Sequence, residues 1–176
     1  MMISSLVAAK NAKSEKTERN KKIALAESCT GGLIASMITS IPGSSSAFEA
    51  GIVSYSNGIK ESQLGVARST LEEHGAVSEQ CVLEMAAGAC NLSNADYAIA
   101  VSGIAGPDGG SKEKPVGTVW VAWGPRDALQ ARQFYYPLYR SLFQTIIAAL
   151  ALDLTRRSLL GLDKQPAYYH RKVKQS

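Results

Sequence analysis

The 176-residue chain has little of what several catalytic classes require. Its two histidines, His74 and His170, stand apart, one in a turn-like Glu-His-Gly and one in a basic stretch near the end, so a histidine-centred triad has weak support. Its three cysteines, Cys29, Cys81 and Cys90, are an odd number without CxxC spacing. That argues against a disulfide framework and against zinc, and it fits a reducing cytoplasm. No HExxH, Walker or paired-carboxylate pattern is present. No apolar run approaches the roughly 20 residues that span a bilayer. The opening Met1 to Ala9 lacks a basic n-region and is followed by charge instead of a cleavage site, so it makes a poor signal peptide. The reading at this level is a cytoplasmic chain with no membrane association, no metal and no cofactor.

Hydrophobic residues make up 45% and charged residues 19% of the sequence, enough for a globular core. The net charge of +4 is concentrated in Lys10 to Lys22 and Arg171 to Lys174. Basic ends can meet nucleic acid, but no helix-turn-helix, RNA-binding or zinc pattern accompanies them, and a solvated tail is the simpler reading. The expected organisation is one domain over 23–162, preceded by a partly helical or mobile segment, 1–22, and followed by a basic tail, 163–176.

Ile23 to Ala26 reads as a short buried strand and Gly31 to Ser40 as an amphipathic helix, with Pro42-Gly43 ending it. Gly51 to Ser56 reads as a second strand, and Asn57-Gly58 as the turn into a helix carrying Lys60. Ser69-Thr70-Leu71-Glu72 fits a capping box. Ser78 fits the N-cap of a helix over Glu79 to Ala89. Strands follow at Asp96–Val101, Val116–Trp123 and Ala128–Tyr136, the last two antiparallel, then a helix over Ser141–Leu160 stopped by Gly161. Early alternation of strand and helix, closed by a hairpin and a helix, predicts an α/β fold: three layers, α/β/α, around a mixed, mainly parallel sheet.

Ligands of such sheets sit outside the carboxyl ends of the strands. Ser28, Tyr55 and Ser102 all stand at or near such ends. The turn Glu27-Ser28-Cys29-Thr30-Gly31-Gly32 joins strand to helix, where free backbone N–H groups offer a place for an anion or oxyanion. The plain alternative is an ordinary βα turn. Hydroxyls, glycine-rich turns and a lysine in an uncharged stretch form the inventory of a Ser/Lys hydrolase, in which burial lowers the lysine pKa until it acts as a base. The plain alternatives are a solvated helix-start lysine for Lys60 and a strand core residue for Tyr55.

Five motifs, in order, carry a family resemblance: Ala26 to Gly32; Pro42-Gly43-Ser44-Ser45; Val53 to Asn57 with Lys60; Gly75-Ala76-Val77-Ser78; and Gly103 to Gly110 continuing through Lys114-Pro115-Val116-Gly117-Thr118-Val119. Together they resemble the C-terminal domain of the CinA family, whose stand-alone enzymes are nicotinamide-nucleotide amidases. The resemblance covers about Ile23 to Ala122. It implies hydrolysis of nicotinamide mononucleotide to nicotinate mononucleotide and ammonia, in NAD salvage, by a metal-free Ser/Lys mechanism. Ser28 is the implied nucleophile, with Ser44 and Ser45 as competitors, Lys60 the general base and Tyr55 its helper. Thr30, Gly31, Gly32, Ser44, Ser45, Ser102, Gly103, Gly106, Asp108 and Gly109 are implied to hold the substrate, a small nucleotide. One departure stands out. The family's Gly-Asp-Arg segment, which opens the final helix with an arginine suited to phosphate, is replaced by Phe134 to Arg140. Arg140 is the candidate substitute. If it does not serve, the chain is a catalytically inactive nucleotide-binding or regulatory module on the same fold. The family's first helix is also degenerate, in Asn11 to Lys22. Whether the chain forms a homo-oligomer is left open.

Overall fold

The computed structural model describes residues 21–162 together with Pro166 and Tyr168. The expectations for 1–20 and for most of the tail lie outside the described residues. The central strand, β1, covers Ile23–Glu27 and is buried throughout, as an apolar run covered on both faces must be. It lies between β2, Phe48–Val53, and β3, Tyr97–Gly103, parallel to both. Beyond β3 come β4, Thr118–Pro125, and β5, Gln130–Tyr135, each antiparallel to its neighbour. The five-stranded order is β2-β1-β3-β4-β5. Four strands therefore run in one direction, but the pairings divide evenly between parallel and antiparallel, so the sheet is mixed more than it is mainly parallel.

The two faces differ in side-chain size, and that decides which helices they take. One face presents Ile23, Leu25, Ile99, Val101, Val119, Val121 and Trp123. On it pack α1, Leu33–Thr39, and α5, Arg140–Leu159, through Ile34, Ile38, Phe143, Ile147 and Leu154. The other face presents alanines, Ala24, Ala26, Ala98, Ala100 and Ala122. Small residues let a helix approach closely, and α4, Glu79–Ser93, lies there through Cys81, Val82, Met85, Ala86 and Ala89. Flanking it are α2, Asn57–Leu64, and α3, Arg68–Glu73. Gly88 of α4 meets the backbone of α2 so tightly that a Cβ there would stand 1.9 Å from the Leu64 carbonyl oxygen.

Two local expectations are corrected. The second strand ends at Val53, not Ser56: the Ser54 amide still reaches the Glu27 carbonyl at 2.8 Å, but Ser56 is spent as the N-cap of α2. Ser69 is not a cap either: α3 begins at Arg68 after Ala67, without a side-chain cap of its own. Glu84, reaching across from α4, accepts from the Ala67 amide at 2.8 Å and the Thr70 hydroxyl at 2.7 Å. Ser78 does cap α4, accepting from the Cys81 amide at 3.3 Å. At the far end of α5, burial alone would raise the pKa of Asp153. Hydrogen bonds from the Tyr168 hydroxyl, Arg157 and Arg156 outweigh that and hold it below the usual carboxylate value.

Candidate active site

The carboxyl ends of β1, β2 and β3 open onto one cavity of about 270 Å³. Ser28 and Cys29 form its floor, Gly103 to Gly106 with Asp108 and Gly109 one wall, and Tyr55 and Arg140 the other. Ser28 follows the last residue of β1, and its amide donates to the Val101 carbonyl at 3.1 Å, which fixes the turn that bears it against β3.

Lys60 is not solvated. Its side chain is 1% exposed, beneath the cavity. Gly58 and Ser56 start α2 one turn earlier, and the helix directs the Lys60 stem inward with Leu64. Its Nζ stands 3.3 Å from Ser28 Oγ, 2.7 Å from the Ser54 carbonyl oxygen and 3.5 Å from that of Tyr55. Burial pushes the Lys60 pKa below its usual value, a shift that the neighbouring Cys81 and Cys29 partly oppose. A neutral amine has two N–H groups, which the two carbonyls accept, and one lone pair, which then faces the Ser28 hydroxyl. Cys29, the next residue, is 4% exposed and belongs to the apolar cluster with Ile34 and Phe143, where burial pushes its thiol up to about 12. Cys81, below Lys60, is pushed up to about 11 for the same reason.

The other expected site residues divide. Gly103, Gly106, Asp108, Gly109 and Arg140 line the cavity with Ser28 and Tyr55. Tyr55 is not in the strand core; it is 61% exposed. Only its backbone carbonyl approaches Lys60, while its hydroxyl accepts from Arg140 at 2.7 Å. Arg140 also donates to the Gly106 carbonyl at 2.7 Å, tying the two cavity walls together. Ser102 is buried within β3, one residue short of the lining. Ser44 and Ser45 sit in a short 3-10 helix, Ser44–Ser46, that precedes β2. The Ser45 carbonyl accepts from Lys22, at the start of β1. They are thus at the opposite end of the sheet, a strand length of about 16 Å away from Ser28.

The expectation of free N–H groups at the head of α1 is overturned by a residue the sequence reading passed over. Glu27 turns its carboxylate, 1% exposed, into that helix start. It accepts from the amides of Gly32, Ile34 and Ala35 at 3.1, 3.1 and 2.8 Å and from the Thr30 hydroxyl at 2.6 Å. Thr30 is therefore committed to the turn. Gly31 and Gly32, with φ of +63° and +98°, serve it by a left-handed backbone that other residues rarely adopt, and neither lines the cavity. The signal for Glu27 was a carboxylate ending a buried strand two residues before a polar turn. The signal for Ser54 was its place just before a tyrosine in the third motif. Among the described residues no group of His, Cys, Asp and Glu side chains could hold a metal, and no helix is long and apolar enough to cross a membrane.

A three-layer α/β/α domain with a Ser-Lys pair at the carboxyl edge of its sheet is the class this geometry defines. Residues 6–159 match the CinA C-terminal domain, and the chain belongs to that family. It is 52% identical over 151 residues to a CinA-like protein of Colwellia psychrerythraea, covering 86% of this chain and 35% of that protein. It is 49% identical over 144 residues to the nicotinamide-nucleotide amidohydrolase PncC of Escherichia coli, covering 73% of this chain and 87% of that protein. The chain thus spans about a third of the length of the CinA-like relatives and most of the length of PncC. Among solved structures, the competence damage-inducible protein A of Klebsiella pneumoniae superposes with a TM-score of 0.84 at 33% identity, covering 92% of this chain and 97% of that one. The competence/damage inducible protein CihA of Agrobacterium tumefaciens gives 0.81 at 38% identity, covering 93% and 94%.

Proposed function

We propose that this chain is a nicotinamide-nucleotide amidase that hydrolyses nicotinamide mononucleotide to nicotinate mononucleotide and ammonia. The observation that carries the reading is the buried Lys60 amine 3.3 Å from Ser28 Oγ on the floor of a nucleotide-sized cavity. The similarity to PncC supports the substrate class. In this mechanism Lys60, held neutral by burial, takes the Ser28 proton as Oγ attacks the carboxamide carbon. The amide of Cys29, the residue after Ser28 in the turn, is the donor assigned to the oxyanion, an interaction commonly worth ~3–4 kcal/mol. The C–N bond breaks, Lys60 returns the proton to the leaving nitrogen, and ammonia departs from an acyl-Ser28 ester. Water, deprotonated by the same amine, attacks the ester carbon; the C–Oγ bond breaks, Lys60 returns the proton to Ser28 Oγ, and the acid leaves as its carboxylate after losing a proton to solvent. Ser54 and Tyr55 hold the two amine hydrogens through their carbonyls, so Tyr55 helps the base by its backbone and not by its hydroxyl.

Arg140 takes the part of the absent Gly-Asp-Arg arginine. Two of its N–H groups brace the cavity walls, and the remaining three are available to a phosphate. The phosphate end of the substrate then lies at Arg140 and the carboxamide at Ser28. The presence of this guanidinium in the cavity favours the enzyme over an inactive binding module. Ammonia release compared among the parent and Ser28→Ala, Ser44→Ala and Ser45→Ala variants tests the assignment. Loss confined to Ser28→Ala is expected; turnover that survives in Ser28→Ala removes it.

A further inference from the structure

The last helix reaches the candidate site twice. Arg140 opens α5 and braces the two cavity walls, and Gln144 follows one turn later on the same side of the helix. Gln144 is half-buried and lies outside the cavity lining. Its side-chain amide donates to the Cys29 carbonyl at 2.9 Å, in the turn that bears Ser28. A carbonyl oxygen can only accept, so the contact itself decides which end of the Gln144 amide faces the turn. In a regular strand-to-helix turn, amides at the head of the helix would serve this carbonyl. Here the Gly32, Ile34 and Ala35 amides go to the Glu27 carboxylate, and the Leu33 amide goes to the Thr30 carbonyl at 3.2 Å. Ser28 itself is held by backbone, its amide on Val101 and its carbonyl accepting from the Gly31 amide at 3.1 Å. Cys29 is instead held by a side chain that comes from 115 positions further along the chain.

We infer that Gln144 is a positioning residue, which by holding the Cys29 carbonyl sets the aim of the Ser28 hydroxyl and of the Cys29 amide at the substrate. This rests on the amidase reading, in which those two groups meet the carboxamide. The Cys29 amide and carbonyl flank one Cα, so a tether on the carbonyl limits rotation about that residue and with it the direction of the N–H. Arg140 and Gln144 share one helix, about 6 Å apart along its axis, so the group that meets the phosphate and the group that steadies the turn keep a fixed spacing. Removing an oxyanion donor outright costs roughly 10²–10³ in rate. Loosening the residue that carries it costs less, and a loss of about tenfold in kcat is expected. KM should stay within about threefold, because Gln144 does not line the cavity.

The test is steady-state ammonia release from nicotinamide mononucleotide by the full chain and three variants, with a thermal melt of each. Gln144→Met keeps the stem and removes the donor; kcat should fall about tenfold with KM nearly unchanged. Gln144→Lys keeps a donor, of the kind Lys114 already offers the His74 carbonyl, and should hold kcat within about threefold of the parent. Thr145→Val removes the bond from the Thr145 hydroxyl to the Ser141 carbonyl, one residue along the same helix and away from the turn, and should leave kcat unchanged. A merely structural role for Gln144 would lower the melting temperature and leave kcat per folded molecule in place. Parental kcat in Gln144→Met overturns the inference, as does a rise in KM that accounts for the whole loss, or an equal loss of kcat in Thr145→Val. Should Gln144→Met fail to fold, Gln144→Lys decides: kcat near the parent's supports the inference, and a tenfold loss overturns it. A folded parent that releases no ammonia removes the amidase reading and this inference with it, whereas turnover by the parent that Gln144→Met retains in full sinks this inference alone.

Discussion

Replacing Lys60 by methionine separates chemistry from stability. The side chain is 1% exposed and methionine keeps most of its apolar stem, so the cavity floor stays filled. The loss is polar. The Ser54 carbonyl, which accepts from Nζ at 2.7 Å, is left without that donor, at a cost of roughly 1–3 kcal/mol. The Tyr55 contact, at 3.5 Å, is marginal and adds little. Against this stands a gain. Burial depresses the Lys60 pKa, so at neutral pH the folded state must either strip the amine of its proton or bury a charge. Methionine requires neither. The opposing terms leave a net change within about 2 kcal/mol, a Tm shift of no more than about 8 °C for a chain of this size. Activity should behave differently. Without a base for Ser28, kcat should fall by about 10²–10⁴, while KM stays close to the parent value because Nζ lies under the cavity and not in its lining. Steady-state ammonia release and a thermal melt on the same samples check both halves. More than about a tenth of parental kcat, or a variant that does not fold, would refute the reasoning.

The pH profile follows from the same group. A base must be unprotonated, so kcat/KM should rise with pH along a limb whose midpoint lies below the ordinary lysine value of about 10.4, and that limb should be missing from the residual rate of Lys60→Met. The depressed pKa also means the unfolded chain binds the extra proton first, so this residue's contribution to stability grows with pH up to the unfolded-state value. Arg140→Ala should raise KM by about 10–100-fold, the worth of a charge-assisted hydrogen bond, and Arg140→Lys should recover only part of it, since one ammonium cannot bridge Tyr55 and Gly106 and also reach a phosphate. Gly88→Ala should cost about 1–3 kcal/mol or more, because the new methyl meets backbone, not a side chain that can move aside; a lowered Tm with unchanged KM is the expected pattern.

The layers were legible because hydrophobic pattern and turn chemistry agree. Ile23 to Ala26 could only be a strand covered on both faces, and Ser78 announced α4. What stayed hidden depended on partners distant in sequence. Ser69 looked like a cap, yet the capping carboxylate is Glu84, across the α3–α4 junction. Lys60 on its spacing alone read better as a surface lysine, because nothing local says that α2 points it under Ser28. The Gly-Ser-Ser motif looked like part of the site, but parallel strands carry their starts and ends to opposite edges of the sheet, and Ser44 and Ser45 precede a strand where Ser28 follows one. Glu27 was overlooked for a related reason. A helix start next to hydroxyls reads as an open anion site until a carboxylate from the preceding strand is seen to fill it. Arg140 shows the converse: a local motif is absent, but the fold brings an arginine to the cavity from the head of α5.

The most direct measurement is the stoichiometry of products when purified parent chain meets nicotinamide mononucleotide without added metal. The account predicts catalytic turnover with one ammonia and one nicotinate mononucleotide formed per substrate consumed. A folded chain that binds the nucleotide and releases no ammonia, or that cleaves it elsewhere to free nicotinamide, would contradict it.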